Sequence, residues 1–495
     1  MVTSPSAPTL SSSVSGTGNP LVASYSLTAP DQSQVKIQFG LTTDYGLETW
    51  LVPAPSGGGT VTILVAGMLQ SSTYHMRAVV QLANSITIFD VDQTFQTGAI
   101  PADIPMPKFQ VTASDTPPCA GVELVNLNPN NPVVTDLQGD IIWYYFNATD
   151  QAHKCHPMPL KPLTNGNMLV SCTNRYDGAK TPYCVLREVD LASKTVSGPN
   201  GPRELLMEDL NQRLENIKTP FGRTVQVNYY SHDVLPLSNG HVILLCQEFV
   251  NVNVGGTEIL VWGDALVDLD DSYNPVWVWS AFDVLDINRH PFEWSPGAYD
   301  WTHCNAVQYT PDGNLLLSVR NQSWVLKLDY ANGSGSGKIL WTLGFEGDFA
   351  WNNLDTATWF FAQHDPFILE TSDNSITQLA LVDNGNYRAG TYPTPYSRGL
   401  ILNIDETKMT AEISWQYPVS PNFFSFWGGN VNRLLNQNIE ICMSDPIPCG
   451  SQQKSAPSFA VEVTVDQQEI WRMNTTPSNV YRSNRIPSLY PGVQW

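Results

Sequence analysis

The chain is short of base: 25 Lys and Arg stand against 46 Asp and Glu in 495 residues, a formal charge of −21. That balance excludes nucleic acid and an anionic lipid surface as the main partner, and it makes any Arg or His in a pocket informative. No run of about 18 apolar residues occurs, so no membrane-inserting span is expected. The first residues, MVTSPSAPTLSSSVSGTG, lack both a basic n-region and an apolar h-region. The chain therefore reads as the mature or truncated form of an exported protein, periplasmic or secreted. None of the eight cysteines falls in a CxxC, there is no HExxH pair, and a Gly-rich phosphate loop is missing, so no metal and no cofactor are expected. A C-x-P-x-R setting is absent too, which argues against a formylglycine sulfatase. Cys442 and Cys449 flank the loop SDPIP and stand equally as a local disulfide or as two free thiols. Helical periodicity is nearly lacking, RELLMEDLNQRLENI being the one amphipathic candidate.

Short apolar stretches broken by Gly, Pro and turn residues are abundant, and charged residues make up only 14%. An all-β protein follows. Residues 1–100 read as a small fibronectin III-like β-sandwich domain, with Leu69 and Tyr74 placed as that fold places its corner tyrosine. TGAIPADIPMP then reads as a linker. From there a repeat appears: strands ending in Trp, namely GDIIWYY, PVWVWS, GKILWTLG, AEISWQYP and QQEIWRMN, with a degenerate SKTVSG. A hairpin strand recurs as LTNGNMLVS, LSNGHVILL, TPDGNLLLSV and the weaker LLNQNIEIC. Six copies at intervals of roughly 50 to 85 residues have the scale of propeller blades. The expectation is a six-bladed β-propeller over residues 101–495.

Three histidines keep one phase within that repeat. His232 opens HDVLPLSNG, His303 opens HCNAVQYTPDG and His364 opens HDPFILETSDN, each at the start of an inner strand. Equal phase on successive blades makes their side chains converge at one mouth of the central channel. His156, in HPMPLKPLTNG, shares the spacing and stays open as a fourth member. Arg320 lies between two apolar runs in LLLSVRNQSWVLKL, where a cation needs an anion to meet it. With the amide of Asn305, the set offers imidazoles and a guanidinium fork suited to a tetrahedral oxyanion. Asp233 and Asp365, next to two of the histidines, read equally as strand caps and as orienters.

DWTHCNAVQYTPDGNLLLSVRNQSWVLKLD, YYSHDVLPLSNGHVILL, FFAQHDPFIL with LALVDNGNYR, and VYRSNRIPSLYPG resemble the bacterial aryl sulfotransferases that use no nucleotide sulfate donor. The resemblance runs over residues 105–495, and that family's β domain before a six-bladed propeller agrees with the pattern above. It implies transfer of a sulfuryl group from a phenolic sulfate ester to a phenolic acceptor by a ping-pong route through a sulfohistidine. Carried over by motif, His364 is the nucleophile; His303 and His232 bind and polarise the sulfate, one of them protonating the leaving phenol; Arg320 and Asn305 hold the same sulfate.

Two other readings use the same residues. A sulfate ester hydrolase needs only water as acceptor, and a non-catalytic ligand-binding propeller makes the histidines structural. A monomer and a homodimer are equally compatible with the sequence.

Overall fold

The structure is a computed structural model that describes residues 10–175, 181–199, 201–254, 256–289, 299–352, 358–373, 376–386, 388, 395–420, 422–449, 456–476 and 479–495. It is all-β: two short α-helices, Ala148–Ala152 and Met207–Leu214, are the α-helical elements among the described residues, and the second lies within the amphipathic stretch read from the sequence.

Residues 12–96 form two sheets. Ser12–Gly16, Ala23–Ala29 and Gly59–Val65 make one; Leu47–Glu48, Gln34–Gly40, Thr73–Gln81 and Thr87–Phe89 make the other, with Val52–Pro53 and Gln93–Gln96 at its edges. Alternate residues point inward, as a half-buried strand requires. Tyr25, Leu27, Ile37, Phe39, Ile63 and Met76 meet in one core. Tyr74 Oη accepts from Leu69 N at 3.0 Å, the corner contact expected from the sequence. The two sheets rest on the rest of the chain through Tyr490, whose hydroxyl accepts from Ala66 N (2.7 Å) and donates to Leu64 O (2.8 Å), and through Trp495 Nε1, which donates to Glu48 O (2.9 Å).

Beyond residue 107 the described residues form six sheets of four or five strands, antiparallel except for the short parallel pairings of Tyr299–Asp300 and Ala350–Trp351, and two two-stranded ribbons. The first strands of sheets two to six are His156–Pro162, Tyr229–Pro236, Cys304–Tyr309, His364–Asp373 and Asn430–Arg433. Sheet one opens instead with the last strand of the chain, Asn479–Ile486, laid against Val122–Asn128. In return the early strand Lys108–Ala113 completes sheet six by pairing with Glu469–Thr476. First strands of sheets two to six pack side by side in order, sheet one meets sheet two through Val122–Asn128, and Asn430–Arg433 of sheet six contacts Asn479–Ile486 of sheet one.

The sequence repeats have a mechanical reading here. Each sheet is covered on both faces, so middle strands such as Leu315–Val319 and Ser458–Val463 are buried at every residue and show no alternation. The hairpins between first and second strands turn at Gly166, Gly240 and Gly313, all with φ above +80°. The Trp strands are the fourth from the inside of their sheets. Trp143 donates to Leu191 O, Trp279 to Gly337 O, Trp415 to Val465 O and Trp471 to Leu137 O, at 2.7 to 3.0 Å. Each of these indoles rivets its own sheet to the next, the last one joining sheet six to sheet one. The SKTVSG copy departs from the pattern: Ser197–Gly198 pairs only with Gly201–Pro202, and the outer strand of sheet two is Glu204–Leu206. Cys442 and Cys449 are both free, the first buried in the core beside Val125 and Trp471, the second with Sγ toward Pro395 O. Among the described residues no helix is long and apolar enough to cross a membrane.

Candidate active site

The three histidines lie at or near the N-terminal ends of the first strands of sheets three, four and five. The rings of His232 and His303 lie 4.7 Å apart. The ring of Tyr481, from the closing strand, lies 5.9 Å from that of His232 and 6.0 Å from that of His364. His156 also opens a first strand and is buried.

His303 sits at φ +50° just before its strand. That bend is held by Asp264 of sheet three, which accepts from Thr302 Oγ1 (2.5 Å) and Cys304 N (2.7 Å) and whose carboxyl burial pushes up to about 6. His303 Nδ1 bonds Asp300 Oδ2 at 2.5 Å. Burial works against the Asp300 carboxylate, but the charge and hydrogen bond of His303, with Arg175 and Arg320, bring it below the usual range.

His364 is fixed by its neighbours in sequence and across the site. Gln363 before it donates to Ser318 Oγ (3.1 Å) and Trp324 O (2.8 Å) of sheet four. His364 Nδ1 lies 2.7 Å from Asn384 Oδ1. The Asn384 amide nitrogen donates to Ser425 O (2.9 Å) and Gly428 O (3.1 Å), so its oxygen must be the acceptor and Nδ1 must carry the proton. Nε2 is thereby the nitrogen with the lone pair. Burial, followed by the Arg320 charge, holds His364 well below the ordinary histidine value, against the Asn384 bond that raises it. His232 is likewise held low by burial and then by His303, Arg175 and His364, while its Nδ1 pairs with Ser231 Oγ at 2.8 Å. Two neutral imidazoles result.

Arg320 is buried with its guanidinium bonded to Asn321 Oδ1 (2.8 Å) and Phe426 O (3.0 Å), and its charge acts on both His364 and Asp300. Asn305 is fully buried; its Nδ2 donates to Gln363 O at 2.8 Å, the residue before His364. Its amide thus ties the strand of His303 to that of His364.

Of Asp233 and Asp365, the first caps its strand, Oδ1 accepting from Val234 N (2.9 Å) and Oδ2 from Val307 N (3.1 Å). Both turn away from the histidines toward Arg482, Asp233 Oδ1 at 3.5 Å and Asp365 Oδ1 at 3.2 Å, and Asp233 also takes Lys161 Nζ at 2.5 Å.

Several residues at the site carry no signal of their own in the sequence. Arg175 lies over the Trp262 ring at 4.8 Å and its charge reaches His232 and Asp300. The segment NFFSFWGG supplies the carbonyls that hold Arg320 and Asn384, and its Trp427 stacks on Tyr481 at 6.2 Å. Trp301, Trp359, Phe360 and Phe361, beside the histidine motifs in sequence, are core, and Tyr387 lies outside the described residues. One buried group among the described residues has metal-like spacing, Asp150 with Cys155 and Cys172. There Asp150 is paired to Arg187 at 2.8 Å and burial pushes the Cys172 thiol well up, so the acid is engaged and the thiol is protonated.

The arrangement presents one buried, neutral imidazole with an oriented lone pair, a second imidazole backed by a carboxylate, and a cation between them. Such a set suits nucleophilic attack on an electrophile that bears negative oxygens, with proton delivery to the group that leaves. No curated protein matches the chain. Residues 107–482 match a known protein family, described as arylsulfotransferase (ASST).

Proposed function

The chain belongs to the arylsulfotransferase family, and from that premise we propose a ping-pong sulfuryl transfer, independent of any nucleotide donor, from an aryl sulfate to a phenolic acceptor through a sulfohistidine at His364. The observation that carries this reading is the hydrogen bond from His364 Nδ1 to Asn384, which leaves the lone pair of a neutral ring on Nε2.

In the first half-reaction Nε2 attacks sulfur, the N–S bond forms and the S–O bond to the phenol breaks. Charge collects on the bridging oxygen, where protonated His303 delivers its Nε2 proton; Asp300 accepts from Nδ1–H and steadies the imidazolium. Proton delivery of this kind contributes about 10²–10⁴-fold. Arg320 and His232 hold the non-bridging oxygens, and fixed charge in a site shut off from water is the stronger for it. Asn305 acts as a positioning residue through Gln363 O. In the second half-reaction a phenol gives its proton to His303, its oxygen bonds to sulfur, and the N–S electron pair returns to Nε2. One difficult displacement becomes two easier ones.

The scaffold belongs to the proposal as well: a six-bladed β-propeller over residues 101–495 behind a β-sandwich domain over 1–100, in a periplasmic or secreted protein that is a monomer or a homodimer. Six sheets in sequential contact, joined last to first, support it.

The test is the intact mass of wild type and His364→Ala after brief mixing with a chromogenic aryl sulfate and no acceptor. A sulfuryl adduct on wild type, absent from the variant and discharged by phenol, is expected. Steady phenol release with no adduct, unaffected by added acceptor, would make the protein a hydrolase instead.

A further inference from the structure

Behind the histidines lies a cavity of about 300 Å³ that takes residues from the first strand of every one of the six sheets, among them Lys161, Leu235, Gln308, Asp365, Asn432 and Arg482. None of the three histidines lines it. Asp365 and Arg482, the residues directly after His364 and Tyr481, do. Phe367 at its rim is 38% exposed and the Lys161 side chain 23%, so the cavity communicates with solvent.

A single layer separates this space from the site. Arg482 is buried, bonds Asn305 O at 2.6 Å, and pairs with Asp233 (3.5 Å) and Asp365 (3.2 Å). Lys161 meets Asp233 from sheet two. Two cations and two carboxylates, drawn from sheets one, two, three and five and bonded to the backbone of sheet four, thus close the channel under the nucleophile. An isolated buried guanidinium is costly, so the four groups hold one another in place.

Resting on the transfer mechanism above, we propose that Arg482 is the floor of the site, a positioning residue that keeps water in the far cavity away from sulfated His364 and so sets how the intermediate divides between phenol and water. The N–S bond of a sulfohistidine yields to either nucleophile. Phenol gives an aryl sulfate and a proton; water gives hydrogen sulfate and a proton; in both, the N–S pair returns to Nε2. On the mouth side the bound acceptor itself displaces water. On the far side only this layer does.

The experiment measures free sulfate against sulfated phenol formed from one aryl sulfate donor, with wild type, Arg482→Gln, Arg482→Lys and Gln308→Trp, each checked for native melting. Arg482→Gln should raise the sulfate-to-aryl-sulfate ratio at least tenfold, with one oxygen of the sulfate drawn from ¹⁸O-labelled water, and Arg482→Lys should restore part of the wild-type ratio. Gln308→Trp fills the cavity while leaving Arg482 in place, and should push the ratio below that of wild type. An unchanged ratio in a folded Arg482→Gln overturns the floor and leaves the transfer mechanism standing. Should Arg482→Gln fail to fold, an unchanged ratio in Gln308→Trp does the same. A wild type that forms no sulfohistidine overturns both.

Discussion

The proton on His364 is assigned by a residue twenty positions away: Nδ1 lies 2.7 Å from Asn384 Oδ1, and the Asn384 amide cannot turn because Ser425 O and Gly428 O already hold its nitrogen. Removing that oxygen frees the ring to rotate and to exchange tautomers. Asn384→Ala should lower kcat by about 10–100-fold, the usual cost of losing the partner that orients a reactive imidazole. Asn384→Asp keeps the acceptor but adds a negative charge, so its acidic limb should move to higher pH than that of wild type. Pre-steady-state phenol release as a function of pH distinguishes the two.

The acidic limb itself has a defined side. His364 attacks only when neutral, and burial with the Arg320 charge depresses its pKa below the ordinary value of about 6.5. The protonated, inactive form therefore accumulates only at more acid pH, and the acidic limb of the first half-reaction should lie below about pH 6.5. Arg320→Met removes one of the depressing charges and should shift the limb upward. A wild-type limb centred at or above pH 7 would speak against His364 as nucleophile.

Asp300→Asn should act on the leaving group. Without the carboxylate, the imidazolium of His303 loses its partner at Nδ1 and protonates the departing phenolate less well. Donors with acidic phenols need little help and donors with basic phenols need much. A plot of log kcat/KM against phenol pKa should steepen in the variant, with the loss reaching about 10²-fold for the poorest leaving groups. A uniform loss across the series would assign Asp300 a structural role only.

Closure of the six sheets depends on charge at one seam. Arg485 on the last strand pairs with Glu123 and Glu462, and Ser483 Oγ donates to Glu123 at 2.8 Å, all buried. Burial, and then Glu123, already pushes the Glu440 carboxyl well up. Arg485→Met leaves buried carboxylates uncompensated and should cost about 3–5 kcal/mol. Thermal melting reads the cost, Glu123→Gln in the same chain should recover part of it, and amide exchange should be fastest over Asn479–Ile486.

Much of the site is legible in the sequence. His232, His303 and His364 stand out because sheets three, four and five open with the same kind of hairpin, so a phase in the sequence becomes a place in space. Arg320 stands out because an isolated cation between apolar runs is costly. Trp301 and Trp359 lie next to the motifs in sequence, and covered sheet faces place both in the core as packing residues. SKTVSG resembles a sixth Trp strand only by its spacing.

The sequence by itself determined the repeat, the strands that carry it and the three imidazoles at one strand end. These are properties of segments of a few residues, where propensity, turn chemistry and periodicity act locally. Only the tertiary structure decided which nitrogen of His364 is free, that Asn305 serves the backbone of Gln363, that Asp233 and Asp365 hold Arg482, and that Cys442 and Cys449 stand apart. Those outcomes depend on contacts between residues up to 249 positions apart, such as Arg482 with Asp233, made when the last strand pairs with the first sheet. Electrostatics and desolvation act through space, and no local pattern encodes them.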